Sequence, residues 1–467
     1  MTHLIEHPEI TTVHATRLSI STLCLAFLVT LAACGDDPTG VNAPVMVITS
    51  PVTGLTIAEG TLLRLEGDGT DFEDGAIPDD ALSWSSSVDG DLGTGRALDI
   101  PSATPGLHTI TLSGTDNEGN VGTATVMVDV QALDFIDGTV DDPQIGLVVN
   151  SIGSAVRLFQ LGDPTQIRDI PIGASASLTP TGISVLGDWG AVPLGNAASV
   201  AILDLRAEQI DGFFFFPSGN ATGSSWVNAT TVVVANQETD VIGKFSPGQA
   251  NDTITETLSV TQFPSSVLAI SDSLILVVSS NLDDSYAPAG DGMVTGVDPR
   301  TMTLVDTVRT GGENAQVGDL GPDGMLYVIN TGDYVNPSTL AVIDPSTMTR
   351  VKVVGGFPSG SGDVHVDSNG LVFVSSFFRG TVVWDSSSET FLRDGSDPVC
   401  APIAGGGCRG AFVTHTSSDG TLYQSFFGSV ADGLAPQLFV YSPGTFALTD
   451  SIDSGLSPVG LEIATFR

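Results

Sequence analysis

Lysine is nearly absent. Lys244 and Lys352 are the only two, and Lys plus Arg total 15 in 467 residues against 54 Asp plus Glu, a formal net charge of −39. Basic side chains supply most of the affinity for nucleic-acid phosphates, so this balance excludes nucleic acid as a partner. It equally excludes a polybasic contact with anionic lipid headgroups. Aromatic residues are scarce at 6%, and there are four cysteines. Signatures of chemistry are missing too: no Walker loop, no Gly-x-Ser-x-Gly elbow, no His-Glu-x-x-His, and too few tryptophans (four) for the repeated docking motifs of quinone-dependent enzymes. The excess charge does not imply disorder, because hydrophobic residues make up 41% and charged ones only 15%. That is enough apolar side chain to build cores in the roughly two to four domains the length allows.

One long apolar run occurs, Leu18 to Ala33, after Arg17 and directly before Cys34. At 16 residues it is shorter than the about 20 needed to span a bilayer and matches the core of a signal peptide. The segment ahead of it is long and contains Glu6 and Glu9. Leu31-Ala32-Ala33-Cys34 resembles the lipobox of bacterial lipoproteins. The resemblance implies a signal peptide over 1–33, cleavage before Cys34, acyl chains on that residue, and a tether over 34–43. Membrane contact is then through the N-terminal lipid alone. Gly35 in place of Asp after the cysteine points to the outer membrane or cell surface. The alternative, a buried helix that happens to end in cysteine, is disfavoured by the Gly35-Asp-Asp-Pro-Thr-Gly40 linker.

With Cys24 inside the signal and Cys34 lipidated, Cys400 and Cys408 remain, flanking a proline and three consecutive glycines. An oxidising compartment would let them close a small loop, a cross-link that contributes roughly 2.5 kcal/mol by the chain-entropy argument. A metal site is the rival reading, but two cysteines alone lack the further ligands of a zinc cluster.

Residues 44–131 alternate short β-branched or apolar runs with Gly, Asp and Pro: Val45–Ile48, Thr61–Leu65, Ala81–Trp84, Ala97–Ile100, His108–Leu112 and Thr123–Val130. The spacing and the lack of a helical period predict an antiparallel sandwich with Trp84 buried between its sheets. Leu82-Ser-Trp84, Thr104-Pro-Gly-Leu-His-Thr-Ile-Thr-Leu112 and Thr115-Asp-Asn-Glu-Gly-Asn120 resemble bacterial immunoglobulin-like and PKD-like domains, which implies a spacer or adhesive module. Loop carboxylates at Asp68, Asp71, Glu73, Asp74, Asp116 and Glu118 are of the type a Ca²⁺ site needs, Asp71, Glu73, Asp74 and Asp116 being the candidate ligands. They equally suit a solvated acidic loop.

After a linker over 132–144, a unit recurs through 145–467 with a period of about 40–50 residues: four short strands, an Asp-Gly turn after the first and an Asp-Pro turn after the third. Val317–Gly356 is the clearest copy, followed by Asp363–Arg393. Six full copies are expected at about 178–219, 220–260, 261–312, 313–356, 357–398 and 399–455. Residues 145–173 hold only three strands, and Pro458–Ala464 is a leftover of the innermost type. The expectation is therefore a seven-bladed β-propeller whose C-terminal strand completes the first blade. The Asp-Pro-x-Thr turn and Leu-Tyr-Val strand resemble the YVTN/YncE-like and surface-layer-type propeller families, which speaks to fold more than activity.

Two candidate sites follow. Counting five residues back from Gly324, Gly370 and Gly420 places Asp319, His365 and His415 at equivalent points of successive innermost strands. Two imidazoles and a carboxylate could ligate Zn²⁺ or Fe²⁺, or each could simply pack in the gap beside its own blade. The second site is a rim. Connections from second to third strand and from blade to blade share one face, and the long ones lie there: 281–292, 330–337, 426–436 and the Cys400–Cys408 loop. Long loops on a rigid scaffold usually house recognition. Tyr286, Tyr334 and Phe427 offer stacking faces, and Asp283, Asp284, Asp291 and Asp333 offer acceptors. The whole reads as an exported, lipid-anchored monomer that binds an envelope protein or glycan without catalysis. The rivals are a metal-dependent propeller enzyme of lyase or lactonase type and a structural surface-layer component.

Overall fold

The computed structural model describes residues 43–58, 62–101, 103–131, 135–136, 143–162, 166–173, 178–248, 252–403, 407–429 and 433–466. The expected signal peptide, the lipidated Cys34 and most of both linkers lie outside the described residues. Among those described, every regular element is a strand except one 3-10 turn at Asp79–Ala81, so the fold is all-β. The chain divides into two compact units, 1–132 and 133–467.

In the first unit, apolar side chains alternate along the strands and meet between two sheets. One sheet contains Val45–Ser50, Leu63–Asp71, Gly75–Ala76 and Ala97–Ile100; the other orders Leu55–Ala58, Val121–Gln131, Gly106–Thr115, Leu82–Ser86 and Gly90–Thr94. Leu65, Leu82, Trp84, Leu112 and Val128 are fully buried between them. The indole N–H of Trp84 donates to the carbonyl of Gly95 at 2.8 Å, so this large ring is buried without an unsatisfied donor. Gly67 faces it: a Cβ there would lie 2.6 Å from Leu112 Cδ2 and 3.1 Å from the indole, which is why the strand carries glycine at this point.

Among the described residues, the second unit contains seven sheets of four or five strands, each open at both edges. Their innermost strands are Ser184–Leu186, Ala221–Asn228, Pro264–Ser271, Ala315–Leu320, Ser361–Val366, Thr414–Thr416 and Pro458–Thr465. Each is in contact with the next, and the last returns to the first. Pro458–Thr465 pairs antiparallel with Gln144–Asn150, so residues from both ends of the unit share one sheet.

The recurring Asp turn has a local cause. The carboxylate Oδ1 of Asp298, Asp344 and Asp385 accepts the backbone N–H two residues on, at 2.9, 2.8 and 2.9 Å, bending the chain in place of a backbone bond. The residue before the outermost strand is then left-handed, at Met302 (φ 51°), Met348 (φ 51°) and Glu389 (φ 55°). Hydrogen bonds from Arg300 and from Ser387 hold Asp298 and Asp385 well below the usual carboxylate range, each at about 2. A short strand that no repeat announces, Asp252–Thr253, adds in parallel to Phe214–Phe215.

Phe466 is fully buried in a core that also holds Phe135, Ile145, Leu147 and Leu203. Phe466→Ala is expected to cost about 3–5 kcal/mol, read by urea unfolding; a loss within experimental scatter would mean that the tail contributes nothing to this core.

Candidate ligand-binding site

The innermost strands enclose a cavity of about 950 Å³; six of the seven sheets contribute lining, and Ala411–Val413, just ahead of Thr414–Thr416, complete it. Most of the wall is Ser, Thr, Gly and aliphatic side chains, for instance Ile183, Val185, Leu268 and Ile270. Three carboxylates, Asp319, Asp363 and Glu462, also line it, and among the described residues no Lys, Arg or His does.

Its mouth is aromatic. Tyr334 and the pair Phe377–Phe378 come from second-to-third strand connections, and Phe412 from the connection that precedes Thr414–Thr416; all four line the cavity. Phe377, Phe378 and Tyr334 remain about half exposed, at 50%, 52% and 55%. Ring contacts link Phe377 to Phe378 (5.4 Å), Phe377 to Phe412 (6.3 Å) and Phe412 to Phe427 (5.7 Å). Tyr334 is left-handed (φ 64°), a conformation that costs a bulky residue of order 1–3 kcal/mol. Asp333 holds it there: Oδ1 accepts the N–H of Val335 and Asn336 at 3.0 and 2.8 Å.

Cys400 and Cys408 form a disulfide with a Cα–Cα distance of 5.6 Å. Beyond it, the Arg409 guanidinium lies over Phe426 and Phe439 at 5.2 and 5.3 Å, and Ala411 N–H donates to Ser376 at 2.9 Å. The loop thus braces Phe377 and Phe412.

Asp319, His365 and His415 do come together, and Glu462 joins them. His365 Nδ1 lies 3.1 Å from Asp319 Oδ2, and its Nε2 lies 2.8 Å from Thr416 Oγ1. The two imidazoles stack with centroids 4.0 Å apart, and His415 Nε2 is 3.4 Å from Glu462 Oε1. The chain Asp319–His365–His415–Glu462 therefore crosses four adjacent sheets. Burial, then the neighbouring His415, lowers the His365 pKa. Burial also opposes charge on His415, but Glu462 and the carbonyl of Thr416 outweigh it and raise that pKa. For Asp319, burial is outweighed by His365 and by the N–H groups of Val366 and Leu320, so its carboxyl is held down. Asp363 differs. It is only 8% exposed, and burial followed by the charge of Asp319 pushes it up to about 7, against the N–H of Thr414.

Of the two readings of Asp319, His365 and His415, the geometry is that of packed, hydrogen-bonded side chains: the ring nitrogens are directed at Asp319, Thr416 and Glu462 separately. The sandwich carboxylates do not gather as ligands. Asp71 Oδ1 accepts the N–H of Glu73 and Asp74, Asp74 accepts Asn117 N–H, and Asp116 Oδ1 accepts the N–H of Glu118 and Asn120. They shape their own turns, although Asp71 Oδ2 is left buried without a partner. Among the described residues no three His, Cys, Asp or Glu side chains are grouped to hold a metal ion.

Of the expected rim residues, Tyr334 alone lines the cavity. Phe427 supports it through Phe412. Tyr286 is 67% exposed and packs edge-on to Phe263 at 5.4 Å. Asp283, like Asp333, organises its own loop by accepting the N–H of Ser285 and Ala287. Asp284 is exposed and Asp291 half-buried. Sequence reasoning passed over Phe377, Phe378 and Phe412, although a Phe-Phe pair in the Ser375–Gly380 turn was a visible signal. It also passed over Glu462, which no turn glycine follows.

No protein-family model matches the chain, and no curated protein does. Among solved structures, a functionally unknown protein from Desulfotomaculum acetoxidans DSM 771 is similar with a TM-score of 0.51 and 16% identity, over 69% of this chain and 99% of its own. The second unit is a propeller-type fold. Hydrazine synthase of Kuenenia stuttgartiensis (TM-score 0.49, 12% identity, 63% of this chain and 97% of that one) and the WD40 β-propeller domain of Doa1 (0.39, 11%, 64% and 84%) are also similar. At such identities the likeness concerns fold alone. No helix among the described residues is long and apolar enough to cross a membrane.

Because folding raises the Asp363 pKa from 3.8 to about 7, the folded state holds this proton more tightly. Stability from this group is full below about pH 4 and falls as pH rises through 7. Asp363→Asn should match the parent near pH 4 and exceed it by up to about 4 kcal/mol at pH 8, measured by denaturant unfolding across pH. A difference independent of pH would exclude Asp363 as the titrating group.

Proposed function

We propose that the chain is an exported, lipid-anchored envelope protein at the outer membrane or cell surface. Its propeller binds a protein or glycan ligand without catalysing a reaction. The seven sheets are read as seven blades of one ring joined by the terminal strand, and the first unit as an immunoglobulin-like spacer module. The observation that carries the binding reading is the cavity mouth: a water-accessible hollow opening among half-exposed aromatic rings, on the face where the long connections gather. Aromatic faces stack on sugars and on apolar side chains, and rigid aromatic anchors dominate protein recognition. The disulfide-braced loop keeps those rings in place, which lowers the entropy lost on binding.

Two measurements test this reading. Phe377→Ala with Phe378→Ala is expected to abolish capture on a glycan array, or from detergent-solubilised envelope, while leaving the melting temperature within a few degrees, because both rings are half exposed. Unchanged capture would reject the rim as the binding surface. Separately, Cys34→Ser should eliminate incorporation of radiolabelled palmitate and release the protein from the membrane fraction; persistent labelling would refute lipid attachment at this residue.

A further inference from the structure

We infer that the central cavity itself binds a small organic amine, with its ammonium among Asp319, Asp363 and Glu462 and its apolar body toward Phe377, Phe378 and Tyr334. This goes beyond capture of a macromolecule at the rim. The volume, about 950 Å³, is that of a small-molecule site, a concave, largely apolar hollow with a few convergent polar groups. The lining decides the sign of the ligand. Among the described lining residues there are three carboxylates and no cationic side chain, so a cation is the charge that this wall can take. Asp319 and Glu462 already have His365 and His415 as neighbours. Asp363, more than nine-tenths buried, is met by backbone N–H groups alone, from Thr414 at 3.0 Å and from Val364. No side-chain donor or cation bonds it among the described residues. Once ionised, a carboxylate in that position lacks a positive partner, and an ammonium would supply one.

The rest of the cavity suits the remainder of such a molecule. Ile183, Val185, Leu268 and Ile270 supply apolar surface to the same cavity. At the mouth, the rings of Phe377, Phe378 and Phe412 can cover an apolar skeleton or take a second cation by its attraction to their faces. A neutral sugar would bring Asp363 no positive partner, and an anion would meet Asp319 and Glu462 and oppose ionisation of Asp363.

Binding a cation restores ionisation of Asp363, so a proton is released to solvent when the complex forms near pH 7. The groups facing Asp363 act in the same direction. Asp319 favours its protonated form when the site is empty, and His415, whose own pKa is raised, adds positive charge as pH falls. Affinity for an amine that stays charged throughout should therefore rise from pH 6 to pH 8.

The test is isothermal titration calorimetry of the full chain with tryptamine and hexylamine, set against N-acetyltryptamine, the same skeleton without charge. Saturable one-to-one binding of at least one amine, about tenfold or more tighter than the amide, is expected. Its apparent enthalpy should change with the ionisation heat of the buffer at pH 7, reporting proton release. Asp363→Asn and Glu462→Gln should each weaken the amine and leave the amide unaffected, and Asp363→Asn should remove most of the buffer dependence. No saturable heat with either amine, or equal affinity for amine and amide, overturns the inference on the unmodified protein without recourse to a variant. Neither result bears on the rim, whose variants read macromolecular capture.

Discussion

Backbone pairing between Pro458–Thr465 and Gln144–Asn150 is the contact on which the larger unit depends. A sheet that begins near residue 144 has no innermost strand of its own, and only residues more than three hundred positions later supply one. The side chains follow the backbone. Ala464 and Phe466 enter the same core as Ile145 and Leu147, and Glu462 arrives beside His415. The cavity inherits this arrangement, since one stretch of its wall, Val459 to Glu462, belongs to the tail. A carboxylate from the last strand and carboxylates from two middle strands share one hollow for no other reason.

Within that hollow, burial and charge pull in opposite directions. Asp319 lies among donors and stays ionised; Asp363, a few residues away on the neighbouring strand, has only amide dipoles and retains its proton into the neutral range. The same residue type is thus driven in opposite directions from its ordinary value by the donors each receives. The imidazole pair between Asp319 and Glu462 is similarly divided, one ring pushed toward neutrality and the other toward charge. Two stacked rings cannot comfortably both carry a proton, and the flanking carboxylates favour the ring nearer the tail.

The strand plan was legible in the amino-acid order because each element announces itself locally. Asp-Gly and Asp-Pro turns punctuate the chain, and the carboxylate-to-amide bonds at Asp298, Asp344 and Asp385 are the physical content of that punctuation. The approach of Asp319, His365 and His415 was readable for the same reason, since equivalent positions of a repeat fall at equal heights. What could not be read is convergence without local signature. Glu462 has no turn after it, and Asp252–Thr253 is too short to show a period. The rim aromatics are brought together by separate connections, Phe412 meeting Phe377 at 6.3 Å just beyond the Cys400–Cys408 disulfide. Conversely, Asp283 and Asp333 looked like free acceptors, but their loops consume them: an acidic residue before a tight turn bonds its own backbone first.

That last habit has a consequence for the molecule in bulk. Carboxylates that cap turns, such as Asp298, Asp344, Asp385 and Asp394, titrate below their ordinary values, whereas composition alone sets the isoelectric point near 4.1. The folded chain consequently stays anionic in media acidic enough to neutralise its unfolded form. Repulsion between folded copies therefore extends further into acid than composition alone implies.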